Sequence, residues 1–205
     1  MGFWVFRIMQ NLSSHYDLRL LNLKSSVFLS TYRRKDLSQI VNNLSSRSGT
    51  ILTTDYDRWN KSESNYNEIY KIWKNANFNP SSIRWTNYYP GEDFEQELVD
   101  DVSFYLRLGG VHRAWISRLD PGFYAPHHWD VDDDETEYLK KGTPVRYSIF
   151  LNNPTMGHIL IIGTDYLYEV PWGSIFKWKN YREWHTGING GLESNYLLHI
   201  LGYQS

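Results

Sequence analysis

Cysteine is absent from all 205 residues. Disulfide scaffolds, thiolate metal sites and cysteine nucleophiles are thereby excluded, nothing demands an oxidising compartment, and any metal must be held by nitrogen and oxygen. Neither sign of charge dominates: 21 Lys+Arg against 23 Asp+Glu leave a formal net charge of −2. Without a basic run to bind a polyanion, nucleic acid is not an expected partner. No apolar run approaches the roughly 20 residues that cross a bilayer. Residues Met1 to Arg7 carry neither the basic leader nor the small-residue cleavage site of a secretory signal. A cytoplasmic protein with no membrane partner is expected. Also missing are a Gly-x-x-x-x-Gly-Lys phosphate loop, a dinucleotide fingerprint and a Gly-x-Ser-x-Gly elbow, so nucleotide and acyl-transfer chemistries have no anchor.

What is present is a chain long enough for one domain over 1–205, with 9 Trp and 16 Tyr to supply buried rings with polar tips. Residues 1–110 read as a mainly helical support region. Leu37, Ile40, Val41 and Leu44 follow the i, i+3, i+4, i+7 pattern between Asp36 and Gly49. Tyr66, Ile69, Tyr70 and Trp73 repeat it after the capping candidates Ser62 and Ser64, and Phe94, Leu98, Val102, Tyr105 and Leu106 repeat it again before Gly109-Gly110. From residue 111 to 205 the period becomes strand-like. Eight short runs, 112–119, 124–130, 144–152, 158–163, 166–170, 174–179, 183–188 and 195–203, are separated by Gly, Pro, Asn and Asp. The expected class is α+β: a jelly roll of about eight strands with the N-terminal helices packed on one sheet. The acidic stretch from Asp130 to Glu137 reads as a solvated loop. The apolar start, Phe3 to Met9, fits an edge strand or an intersubunit contact equally well, and oligomeric state stays open.

The chemistry concentrates in Pro126-His127-His128-Trp129-Asp130. In an extended chain residues two apart share a face, so His128 and Asp130 converge while His127 and Trp129 point away. An imidazole and a carboxylate are ligand types for divalent iron, and a third ligand from a distant strand completes a facial triad with open positions opposite. His185, near the end of the seventh run, is the candidate. Trp172, Trp178 and Trp184 are expected in core packing rather than as a wall beside the metal. Asp132 to Asp134 lack the spaced ligands and turn glycine of a calcium loop.

Residues 112–203 resemble the double-stranded β-helix (jelly roll, cupin-like) of iron(II)- and 2-oxoglutarate-dependent oxygenases. Ser117-Arg118-Leu119-Asp120-Pro121-Gly122 followed by Pro126 and His128, Arg146-Tyr147-Ser148 leading through Leu151 to Pro154, and Gly173-Ser174-Ile175-Phe176 before His185 are similar to the aspartyl/asparaginyl β-hydroxylase branch. The carboxylate at Asp130 looks more like the proline hydroxylases, since those β-hydroxylases lack it. Related halogenases have a small residue there, so Asp130 implies hydroxylation or desaturation. The resemblance implies Fe(II) held by His128, Asp130 and His185, with 2-oxoglutarate and dioxygen as co-substrates and an amino-acid or peptidyl C–H bond as target. Succinate and CO2 would be released. The family places an Arg on the last strand to meet the distal carboxylate of 2-oxoglutarate, and this sequence has Asn195 there. Ser117 matches the family's hydroxyl partner. His199, Lys177 and Arg146 are candidates for the missing charge, and Arg146 with Ser148 matches positions of the family's active site.

Two other readings use the same residues: a cupin-like enzyme employing the metal as a Lewis acid, and a non-catalytic jelly-roll binding module whose histidines are incidental.

Overall fold

The computed structural model describes residues 23–34, 36–53, 71–73, 75–77, 80–130, 140–153 and 156–204. The apolar start, most of the second expected helix and nearly all of the acidic stretch lie outside the described residues. Of that helix the described part, residues 71–73, is helical.

Two sheets face each other. In chain order the strands are β1 (Ser26–Thr31), β2 (Thr50–Thr53), β3 (Arg84–Tyr88), β4 (Gly110–Leu119), β5 (Tyr124–His128), β6 (Thr143–Phe150), β7 (His158–Ile162), β8 (Asp165–Tyr168), β9 (Ser174–Trp178), β10 (His185–Asn189) and β11 (Asn195–Gln204). The larger sheet has the order β1-β9-β6-β11-β4-β3-β2 and the smaller β5-β10-β7-β8. The eight runs of the second half are thus β4 to β11. Within residues 1–110 the described residues also hold three strands that the sequence did not suggest, since β1, β2 and β3 extend the larger sheet at both of its edges. Strands of four to six residues beside helical stretches leave little periodicity to detect.

Strand alternation divides the larger sheet into two faces. On its outer face Ala114, Ile116, Ile149, Ile175, Leu198 and Ile200 pack with Leu37 and Leu44 of helix α1 (Leu37–Ser45) and with Leu98, Val99 and Val102 of helix α2 (Gln96–Tyr105). Between the sheets, Phe150, Phe176, Trp178 and Leu197 meet Leu160, Ile162 and Leu167. The same inner face carries Trp115 and Ser117 on β4, Arg146 and Ser148 on β6, and Asn195 and His199 on β11. Each lies one step from a residue of the outer core. Among the described residues no helix is long and apolar enough to cross a membrane.

The edges of the two sheets are tied together by one carboxylate. Asp165, 4% exposed at the start of β8, accepts hydrogen bonds from the backbone N–H groups of Lys24, Ser25 and Ser26 at 2.6, 2.8 and 2.6 Å. It also accepts one from the Ser26 hydroxyl at 2.8 Å. Alanine at position 165 strips these donors of their acceptor, and the expected cost is about 3 kcal/mol. A urea titration of Asp165→Ala should show a lowered midpoint with unchanged slope.

Candidate metal centre

His128 ends β5 and His185 begins β10, and these neighbouring strands pair antiparallel with the two histidines directly opposite. Their ring centroids are 4.2 Å apart. Two residues past His128, the Asp130 carboxylate turns back between the rings, with Oδ1 3.7 Å from His128 Nε2 and Oδ2 3.6 Å from His185 Nε2. One ligand atom from each of the three residues lies within 4.8 Å of the others. The structure therefore brings together the three side chains that the spacing predicts, although Asp130 stands just beyond the end of β5 rather than on it.

The protonation of both rings follows from their backbone contacts. His128 Nδ1 lies 2.6 Å from the Pro126 carbonyl oxygen and His185 Nδ1 lies 3.1 Å from that of Glu183. A carbonyl only accepts, so each Nδ1–H donates and each neutral ring turns its Nε2 lone pair toward Asp130. Burial holds both imidazoles below their usual pKa, and in His185 the neighbouring His128 and Arg146 push the same way. Burial alone would raise the pKa of Asp130. The Arg146 guanidinium and the surrounding imidazoles outweigh it and keep the carboxyl ionised, well below its ordinary range.

Arg146 Nη2 is 2.6 Å from Asp130 Oδ2. Its guanidinium lies 3.8 Å from the centre of the Trp178 ring and 5.3 Å from that of Trp115. Despite this ion pair, Oδ2 accepts no well-directed hydrogen bond. The donor set is thus two neutral imidazole nitrogens and an ionised carboxylate, all turned inward, and it fits a divalent transition metal.

The cavity beside these groups is lined by Ser117, Arg146, Asn195 and His199 among the residues anticipated for co-substrate binding. The Ser117 hydroxyl donates to Asn87 Oδ1 at 3.1 Å, and Asn195 Oδ1 is buried with no hydrogen-bond partner. Ser148 stands behind His199. Its hydroxyl oxygen accepts from Trp178 Nε1–H at 3.0 Å and lies 3.1 Å from His199 Nδ1. Burial, then the Arg146 charge, lowers the pKa of His199 to about 3, so this imidazole is neutral at pH 7. Lys177 is not part of the cavity lining; its ammonium donates to Gln204 Oε1 at 3.0 Å. That candidate for the missing cation is therefore corrected.

The aromatic surroundings differ from expectation in one respect. Trp178 belongs to the core but also packs edge-on against His185, 4.8 Å between centroids, and so forms one wall of the centre. Trp85 stacks on His128 at 5.8 Å and Trp73 meets it edge-on at 6.1 Å. His127 points away, as the pleat requires, and stacks on Trp184 at 5.0 Å. Sequence reasoning missed Leu52, Trp85, Asn87 and Tyr89, which reach the cavity from or next to β2 and β3, and also missed Arg113 and Trp115. Trp85, Asn87 and Tyr89 stand two apart in sequence, but with the polar Asn87 between the two rings the run carries no apolar alternation by which to find them.

No protein-family model matches this chain, and no curated protein sequence matches it. Solved structures do. A prolyl hydroxylase from Trichoplax adhaerens, in complex with a hypoxia inducible factor oxygen degradation domain peptide fragment, is 13% identical. The alignment covers 100% of this chain and 94% of that one, with a TM-score of 0.52. An oxidoreductase of the 2OG-Fe(II) oxygenase family from Burkholderia pseudomallei is 12% identical over 95% of this chain and 90% of that one, with a TM-score of 0.51. The chain has the jelly-roll fold of 2-oxoglutarate-dependent iron oxygenases, with facing antiparallel sheets and few helices. The double-stranded β-helix that the sequence resemblance implies is also the fold of these neighbours.

Proposed function

We propose that this protein is an iron(II)- and 2-oxoglutarate-dependent dioxygenase that hydroxylates a C–H bond of an amino acid or peptidyl side chain. One observation carries the reading: two buried imidazoles, each with Nδ1–H committed to a backbone carbonyl, turn their Nε2 lone pairs onto one ionised carboxylate inside a jelly roll. His128, Asp130 and His185 would hold the metal. When bound, iron(II) with 2-oxoglutarate and dioxygen supplies the oxidation of an unactivated C–H bond, with succinate and CO2 as the other products.

The remaining residues bind, orient and exclude water. Arg146 supplies a buried cation for a co-substrate carboxylate, and the Asn195 amide and Ser117 hydroxyl supply neutral polar contacts on the same inner face. Ser148 fixes the ring of His199, whose other nitrogen is left to the cavity. Trp73, Trp85 and Trp178 close the space behind the two imidazoles, and a dry wall strengthens every electrostatic contact inside it.

Anaerobic addition of iron(II) and 2-oxoglutarate should produce a weak visible charge-transfer band. In air with ascorbate, the mixture should release succinate even without a primary substrate. Metal binding with no band and no response to 2-oxoglutarate would instead support Lewis-acid chemistry. A flat succinate signal would overturn the oxygenase reading.

A further inference from the structure

Ser148 is fully buried on β6, directly opposite His199 on β11. Its hydroxyl oxygen accepts the Trp178 Nε1–H at 3.0 Å, and an indole nitrogen can only donate. The hydroxyl hydrogen then needs an acceptor away from solvent, and His199 Nδ1, 3.1 Å away, is the partner that the described residues give it. If Nδ1 carried a hydrogen instead, two donors would meet one oxygen and the hydroxyl hydrogen would be buried and unpaired, which is the costlier arrangement. Ser148 therefore donates to Nδ1, and the hydrogen of the ring lies on Nε2. A protonated ring would carry the same Nε2–H, so the direction does not depend on the charge of His199. The Trp115 ring, stacked on the imidazole at 5.1 Å, holds its plane. His199 lines the cavity, and with Nδ1 engaged behind it the Nε2–H is the edge it presents there.

We propose that His199 Nε2–H, fixed as a donor by the Trp178–Ser148 relay, binds a carboxylate oxygen of the 2-oxo acid co-substrate, with Ser148 as its positioning residue. The assignment of that ligand rests on the oxygenase reading, and the order of residues along the sheet selects it. On the inner face Arg146, Ser148 and Phe150 of β6 stand opposite Leu201, His199 and Leu197 of β11. On the other side of β11, Leu197 and Asn195 stand opposite Ser117 and Leu119 of β4. The way from Arg146, which lies 2.6 Å from Asp130, to Ser117 and Asn195 therefore passes His199. Successive inward residues of a strand are about 7 Å apart, so a small diacid held at the metal centre and reaching toward Ser117 comes alongside the imidazole. A hydrogen bond to an ionised acceptor is roughly twice as strong as one between neutral groups, so a donor without net charge still contributes to holding an anion.

The test uses the full chain, labelled with nitrogen-15 in its seven histidines and loaded with zinc(II), which keeps the spectra free of paramagnetic broadening. Long-range proton–nitrogen correlation tells an N–H nitrogen from one with a lone pair, and contacts with the Trp115 ring assign the His199 signal. His199 should show Nε2–H, and added 2-oxoglutarate should move that proton downfield and slow its exchange with water. Calorimetry of the same zinc protein should find 2-oxoglutarate about tenfold weaker in His199→Phe, which keeps a ring against Trp115 and loses the donor. His199→Gln, whose amide N–H reaches a similar point, should recover part of the loss. Ser148→Ala should release the tautomer preference and weaken 2-oxoglutarate severalfold with zinc affinity unchanged. An Nδ1–H tautomer, an Nε2–H signal that 2-oxoglutarate leaves unmoved, or undiminished affinity in His199→Phe each overturns the proposal. The spectra are read on the unaltered protein and do not depend on how any variant folds. Succinate release in air is followed separately with iron(II). Its failure counts against the oxygenase reading, and the zinc spectra still decide the role of His199.

Discussion

Alanine in place of His185 should lower divalent-metal affinity by ~10³-fold or more and abolish succinate release, while His127→Ala leaves both unchanged. Even partners that only orient a metal ligand are worth about 10–100-fold in affinity, and His185 is proposed as a ligand itself. Its environment also shows why water would be a poor substitute for the ring. The Nε2 lone pair is aimed by the Nδ1–H contact to Glu183, and the ring is braced edge-on by Trp178. An unbraced water would have to be ordered anew on every binding event. His127 has the same ring chemistry and adjoins His128 in sequence, but strand alternation places it on the other face, stacked on Trp184. Comparing the two variants therefore separates geometry from composition. Calorimetric titration with manganese(II) measures the affinity, and equal affinity in His185→Ala and the unaltered protein would remove the metal centre from the account.

The centre was legible because two strong local rules coincide in it. Period-two alternation brings His128 and Asp130 together, and the spacing of the strand-like runs puts His185 on a later strand. Neither rule fixes register, which the structure supplies by pairing His185 opposite His128. The outer core was legible as well: Leu37, Leu44, Leu98 and Val102 are buried against the sheet as their helical spacing requires. The edges of the sheet were not. In β1 the buried Ser26 shares a face with Phe28 while the apolar Val27 and Leu29 are exposed, so hydrophobicity does not follow burial and no amphipathic signal emerges. Its position depends on a contact distant in sequence, the grip of Asp165 on residues 24–26. In β3 the inward residues include Asn87, whose Oδ1 accepts from Ser117, so one of the polar positions points inward and obscures the pattern. Arg113 was passed over for a related reason. A charged residue near the start of a strand reads as solvent-facing unless the rings that hold it, here Trp115 and Tyr89, are known to be its neighbours.

Acid should unfold the metal-free protein well before its carboxylates titrate, and His199→Gln should flatten that dependence. An unfolded imidazole ionises near pH 6.5. In the fold, burial and the adjacent Arg146 hold His199 down to about 3. Between those two values the unfolded chain binds a proton that the folded one does not, so stability is fully present above pH 6.5 and declines as pH falls toward 3. One such group contributes up to about 1.4 kcal/mol per pH unit, or about 5 kcal/mol across the whole window. That is comparable to the entire stability of many domains. Burial sets the sign, Arg146 from β6 and the nearby His128 add to it by opposing protonation, and among the described residues Asp130 favours it. Glutamine keeps a polar side chain that can still meet Ser148 but carries no titrating nitrogen, so the variant should lose about one proton's worth of slope. Urea midpoints taken in a chelating buffer from pH 7 down to pH 4 measure this, and parallel curves for the two proteins would show that His199 is not held neutral. The same burial has a chemical consequence at neutral pH. Because the fold keeps all three cavity imidazoles unprotonated, a metal arriving at His128 and His185 displaces almost no protons, and its binding enthalpy should be nearly independent of the buffer.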